Sequence, residues 1–150
     1  MSDTPVIDLL RLPNFGDLPL PSYKSTGAAG MDIHAATDAD VTVAAGGRAT
    51  IPTGLAMAIP AGFEVQIRPR SGLAAKYGVT IANAPGTIDS DYRGEIQIIL
   101  LNLGDTDFTV FRGMRVAQMV VAPVIQSEFR LSGSLNETGR GAGGFGSTGV

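Results

Sequence analysis

Short apolar runs cut by glycine and proline at regular intervals constrain this chain more than any other feature. The breaks fall at Gly46-Gly47, Pro52, Gly54, Pro60, Gly62, Gly78, Gly94, Gly104, Gly113 and Pro123. Between them, Phe63, Val65 and Ile67 alternate with Glu64, Gln66 and Arg68, the pattern of a half-buried strand. Val6 to Leu12 is an earlier apolar run. Leu55 to Ile59, Ile96 to Leu103 and Val116 to Val121 are nearly continuous apolar runs, which predicts strands covered on both faces by a second sheet or another subunit. Many short strands at this spacing predict an all-β fold, a jelly-roll-like sandwich or barrel. One short helix is predicted over Ser71 to Gly78, with Ser71 as its cap and Gly78 as its stop.

The 150 residues fit one domain, long enough to bury roughly 70% of the unfolded surface. A net charge of −3 argues against a partner held by charge alone, so no nucleic acid is expected. It leaves room for a small phosphorylated ligand gripped by a few arginines. The lack of cysteine excludes disulfides, thiolate nucleophiles and sulfur-based zinc sites. No basic start leads into an apolar run, and no stretch approaches the ~20 apolar residues of a membrane span. The expectation is a soluble cytoplasmic protein with no membrane partner. After Ser132 the composition turns glycine-rich, with few apolar residues. This predicts a β domain over 1–131 and a flexible arm over 132–150. Gly141, Gly143 and Gly146 fit G-x-G-x-x-G, but neither the strand nor the helix of a dinucleotide fold flanks them.

The chemistry concentrates in a few segments. Gly86 to Ile96 reads GTIDSDYRGEI, with strand-like residues on both sides. This predicts a hairpin whose tip carries Asp89, Asp91, Tyr92 and Arg93. In one extended piece the two carboxylates would point the same way and repel unless a cation or proton lay nearby. Taken alone, an Asp-rich segment of this kind is usually only a solvated turn. In Arg68-Pro69-Arg70-Ser71-Gly72, Pro69 stiffens the approach to the helix. Arg70 and Ser71 then stand where free N–H groups and the helix dipole favour an anion. Arginine adds bidentate contacts to phosphate. A capped helix beside a surface arginine accounts for the same residues. Asp32 follows a glycine turn and reads locally as turn chemistry. Gln118 sits in an apolar run and reads locally as a core amide. His34 is the only histidine, too few for a metal site. Arg140, Phe145, Ser147 and Thr148 lie among glycines. Composition favours a tail, yet the set suits a lid in which a ring stacks on a flat base and the cation and N–H groups wrap phosphates.

Five segments in order, Ala29–Ile33, Arg68–Ala74, Gly86–Ile96, Arg115–Gln118 and Arg140–Thr148, resemble the motifs of the trimeric dUTP pyrophosphatases (dUTPases). The resemblance covers nearly the whole chain. It implies hydrolysis of dUTP to dUMP and pyrophosphate, which limits uracil entry into DNA and supplies dUMP for thymidylate synthesis. It implies that Asp89 activates the water attacking the α-phosphorus. Arg70, Ser71, Gly72 and Gln118 would hold phosphates, Asn83 would bond the uracil edge, and Tyr92 would pack on the deoxyribose. Arg140, Phe145, Ser147 and Thr148 would close over the nucleotide. Mg²⁺ would be held mainly by triphosphate oxygens, with Asp32 acting on it through water. The sites would lie between subunits of a homotrimer. Two other readings compete. A dCTP deaminase shares the expected fold but carries a glutamate where this chain, aligned on Arg93-Gly94, has Ile99. A non-catalytic jelly-roll binding module explains the fold and the glycine tail. It does not explain Asp32, Arg70-Ser71, Asp89 and Gln118 in their matching places.

Overall fold

In the computed structural model, which describes residues 4–145, the alternating runs form eleven strands and one short helix. In chain order these are β1 (Asp8–Arg11), β2 (Met31–His34), β3 (Val41–Val43), β4 (Arg48–Pro52), β5 (Leu55–Ala58) and β6 (Phe63–Arg68). Then follow α1 (Ser71–Tyr77), β7 (Val79–Ile81), β8 (Gly86–Ile88), β9 (Gln97–Asn102), β10 (Phe108–Val110) and β11 (Arg115–Pro123). A 3-10 turn, Pro13–Phe15, follows β1.

All pairings are antiparallel. A four-stranded sheet runs β2-β11-β6-β8 and a three-stranded sheet runs β4-β9-β7, while β1-β5 and β3-β10 form two ribbons. Ile33, Val65, Ile67 and Met119 of the larger sheet meet Ile51, Val79, Ile98 and Leu100 of the smaller one in a single buried cluster. Each such side chain contributes about 1.5–3 kcal/mol by leaving water. The all-β expectation with one helix therefore holds. The Phe63–Arg68 alternation holds too, with Val65 and Ile67 inward.

The apolar runs behave differently from one another. Leu55, Ala56 and Met57 are all buried, as a strand covered on both faces requires. Along β9 and β11 buried residues largely alternate with half-buried ones, so within one chain their outer faces are only partly covered. β1 is exposed along its length, although it pairs with β5. The one polar residue deep in β9, Asn102, is satisfied. Its Nδ2 donates to the Val43 and Thr106 carbonyls at 3.0 and 2.8 Å, and its Oδ1 accepts from Gly104 N–H at 2.9 Å.

Three local expectations need adjustment. Ser71 does not cap the helix. Arg70 occupies the cap position with extended backbone and no side-chain capping bond, and its carbonyl accepts the first-turn N–H groups of Leu73 and Ala74. Gly78 does stop the helix, at φ 68°, where a Cβ would lie 2.8 Å from the Gly104 nitrogen. The acid-bearing segment is more than a hairpin tip. Its flanks pair as β7 and β9, but the chain between them leaves that sheet and adds β8 to the edge of the other. Asp89 and Asp91 then stand on a turn, closed by the Tyr92 N–H donating to the Asp89 carbonyl at 3.1 Å, and not in one extended piece. The last strand ends at Pro123. From there to Phe145 the chain has no regular structure, and Ile125, Phe129 and Leu131 are fully exposed.

Candidate active site

The register of the four-stranded sheet assembles one half of the site. Gln118 on β11 stands opposite Asp32 on β2 and opposite Arg68 on β6, so the three side chains share the outer face in one row. Asp32 accepts from Arg70 Nε at 2.9 Å through Oδ1 and from Arg115 Nη1 at 3.3 Å through Oδ2. Arg70 Nη1 reaches on to the Arg115 carbonyl at 3.3 Å. Two guanidiniums on one carboxylate leave a net positive charge, and Arg68 adds to it from the same face. Gln118 is half-buried. Its Nε2 donates to the Pro69 carbonyl at 2.9 Å, and its Oε1 lies where a Cβ on Gly30 would have to go. A side chain at position 30 would therefore displace the Gln118 amide. The Gln118 amide is therefore bonded to backbone on the outer face and is not a core amide, and its nitrogen has a second hydrogen free for a ligand. Ser71 and Gly72 open α1 beside Arg70 and are exposed, and first-turn N–H groups have no acceptor within a helix.

The other half lies at the end of β8. Asp89, Tyr92, Thr87 and Gln97 line a pocket of about 200 Å³ with Glu95. A larger open groove of about 770 Å³ runs past the other side of Asp89, between Glu64, Asp91 and Ile125. No arginine lines this groove. Asn83 is exposed on the loop between β7 and β8, with Nδ2 3.3 Å from the position of a Cβ on Gly86. Its neighbours Ala84 and Pro85 border a groove shared with Arg68 and Gln118.

Within one chain the two halves are apart. By register, Asp89 is the next residue past the Val65–Ile88 pair, beside Glu64, whereas Asp32 shares its row with Arg68. At ordinary strand spacings that is about 13 Å along the sheet and about 14 Å across it, hence roughly 20 Å. Arg140 and Phe145 join neither half. Arg140 Nε donates to the Gly143 carbonyl at 2.8 Å, and Phe145 is fully exposed. Ser147 and Thr148 lie outside the described residues.

His34 is half-buried at the end of β2, opposite Arg115. Burial lowers its pKa below the usual 6.5, and Arg115, Lys24 and Arg70 act in the same direction against the opposing pull of Asp32. Ile99 lies half-buried on β9 beside Thr50 and offers no proton-transfer group. Among the described residues no cluster of three His, Cys, Asp or Glu side chains could hold a metal ion. No helix among them is long and apolar enough to cross a membrane. The sequence pattern gave no role to Arg115, to Gly30 or to Glu95. Arg115 stood within a matched segment, and its pairing with Asp32 becomes visible only through the β2–β11 register.

The chain matches the family model for dUTPase over residues 17–149. It is 60% identical over 148 residues to a deoxyuridine 5′-triphosphate nucleotidohydrolase of Rhizobium leguminosarum bv. trifolii, covering 97% of this chain and 95% of that one. It is 55% identical over 151 residues to the protein of the same name from Brucella melitensis biotype 2, covering 99% and 96%. In shape it resembles the Staphylococcus bacteriophage 80alpha dUTPase solved with dUPNHPP, with a TM-score of 0.85, 25% identity and coverage of 97% and 99%. The dUTPase of phage phi11 of S. aureus follows at a TM-score of 0.77 and 21% identity, covering 89% and 99%, a likeness of fold. With four of the five motif-bearing segments on or beside one sheet, and kinship spanning almost every residue, this chain belongs to the dUTPase family.

Proposed function

We infer that the protein hydrolyses dUTP to dUMP and pyrophosphate at a site completed by two or more copies of the chain. The observation that carries this reading is the separation of an arginine-rich phosphate cradle from the carboxylate pocket. A base must stand within hydrogen-bond reach of its water, about 3 Å. A cradle roughly 20 Å from Asp89 cannot hold the triphosphate whose α-phosphorus that water attacks. A neighbouring copy brings the missing half to each. A homotrimer closes such a head-to-tail arrangement. The half-covered faces of β9 and β11 and the exposed Ile125, Phe129 and Leu131 supply apolar surface for that assembly.

Each residue then has a physical task. Asp89 orients the water and takes its proton as the oxygen attacks the α-phosphorus. Arg70 and the N–H groups of Ser71 and Gly72 hold the leaving pyrophosphate oxygens, and Gln118 donates its free amide hydrogen. The Tyr92 ring walls the deoxyribose, and Asn83 bonds the uracil edge. The donor set suits Mg²⁺, which prefers oxygen and keeps its waters. Asp32 already accepts from two guanidiniums, so it would reach the ion through water and not directly. When bound, Mg²⁺ offsets charge on the triphosphate as the P–O bond breaks. Residues 132–150 act as a lid on the 1–131 body, with Phe145 stacking on the base and Arg140, Ser147 and Thr148 closing on phosphates.

A panel of dUTP, dTTP, dCTP and UTP with Mg²⁺, scoring pyrophosphate and ammonia separately, tests the reaction. Pyrophosphate from dUTP alone is expected. Ammonia from dCTP, or no turnover of dUTP, would overturn it.

A further inference from the structure

Tyr92 does not hold its own place. Its hydroxyl donates to the Glu95 main-chain carbonyl at 3.0 Å, so the ring follows the Glu95 backbone. The ring also rests against Gly94. A Cβ there would collide with the phenol oxygen and lie 2.6 Å from Cζ and 3.0 Å from Cε2. Gly94 does not have a positive φ, so glycine serves here for space and not for backbone freedom.

Glu95 is clamped in turn. Its Oε1 accepts from Asn14 Nδ2 at 2.9 Å and from the Gly54 N–H at 2.8 Å. Asn14 belongs to the 3-10 turn and Gly54 to the turn between β4 and β5, so one carboxylate oxygen ties three segments together. The next residue reinforces the clamp. Ile96 N–H donates to the Leu55 carbonyl at 2.8 Å, and the buried Thr53 Oγ1 donates to the Ile96 carbonyl at 2.6 Å. Gly54 sits at φ 67°, where a Cβ would lie 2.7 Å from Phe15 backbone, and Phe15 is itself buried. The chain of contact therefore runs from the core, through Gly54 and Glu95, to the Tyr92 ring. No step of the hydrolysis needs a carboxylate at Glu95.

We propose that Gly94 and Glu95 are positioning residues that set discrimination against a ribose 2′-hydroxyl, by fixing the Tyr92 ring where a hydrogen fits and an oxygen does not. This rests on the reading of Tyr92 as the sugar wall. A ring displaced by about 1 Å changes what the pocket admits. Loss of general fold stability would instead lower turnover of both nucleotides together.

The test is kcat/KM for dUTP and for UTP, with melting followed in parallel, in wild type, Glu95→Ala, Gly94→Ala and Glu95→Gln. Glu95→Ala and Gly94→Ala are expected to narrow the dUTP-to-UTP ratio about tenfold or more. Glu95→Gln keeps an oxygen that accepts the same two bonds and should keep the ratio. A ratio unchanged in the folded Glu95→Ala and Gly94→Ala proteins overturns the proposal and leaves the sugar wall standing. Equal use of dUTP and UTP by wild type removes the sugar wall and the proposal with it. If Glu95→Ala does not fold, Asn14→Ala removes one of the two donors. It should narrow the ratio a few-fold, and an unchanged ratio there counts against the proposal equally.

Discussion

Asp32 accepts a 2.9 Å hydrogen bond from Nε of Arg70, a residue 38 positions further along the chain. The bond fixes the plane of the guanidinium and lets Arg70 reach the Arg115 carbonyl with Nη1. The carboxylate so becomes the pivot of the cradle, and under the proposed function it is also the link, through water, to Mg²⁺. Asp32→Asn keeps an oxygen for Arg70 but loses the charge. The Mg²⁺ concentration needed for half-maximal dUTP turnover should rise about tenfold or more. Melting should move little, since a partly exposed pair is worth about 1 kcal/mol or less. An unchanged Mg²⁺ requirement contradicts the assignment of Asp32.

Asp89→Asn should lower turnover ~10²-fold or more while a non-hydrolysable dUTP analogue still binds. The side chain lines the pocket shared with Tyr92, and the amide that replaces it has nearly the same size and shape. Single-turnover rates and calorimetric titration separate the two effects. Near-normal turnover in the folded variant excludes Asp89 as the base.

These segments were legible in the sequence because their chemistry is local. Arg70, Ser71 and Gly72 open one helix, and Asp89 and Tyr92 share one turn. The all-β fold was legible too, since glycine and proline breaks limit strand length. The sheet switch at Gly86–Ile88 was not, because a three-residue strand is too short to show a period. The partners of Glu95 were not, because they lie 81 and 41 positions away. The cap at Arg70 was misread because serine ordinarily takes that place. Here the first-turn N–H groups bond to the Arg70 carbonyl, which puts Ser71 inside the helix.

The arm should matter for catalysis and not for folding. A chain cut after Leu131 loses no strand among the described residues, so its melting should change little. It loses Arg140, Phe145, Ser147 and Thr148, and activity should fall by orders of magnitude if closure excludes water. Phe145→Ala should give a partial loss, since base–ring stacking is worth about 1–3 kcal/mol. Full activity in the cut protein contradicts the lid.

His34 predicts a pH dependence. Its folded pKa lies below the unfolded value of 6.5, mainly through burial. Above pH 6.5 it is neutral in both states and contributes no slope. As pH falls below 6.5 the unfolded chain takes up the proton first, and stability declines until the folded pKa is passed. Melting of wild type should therefore fall faster than that of His34→Asn across that window. Parallel curves would show that His34 carries no such linkage.

The most direct test of a site shared between copies is dUTP hydrolysis by a mixed assembly of two inactive variants, Asp89→Asn and Arg70→Ala. Differently tagged chains are co-refolded and the mixed oligomers are isolated through both tags. If each site takes its cradle from one chain and its carboxylate from the next, about one site in three of each mixed trimer has both halves intact. Activity should return to roughly that fraction of wild type. Mixed oligomers as inactive as either parent would contradict the account and place cradle and base in the same chain.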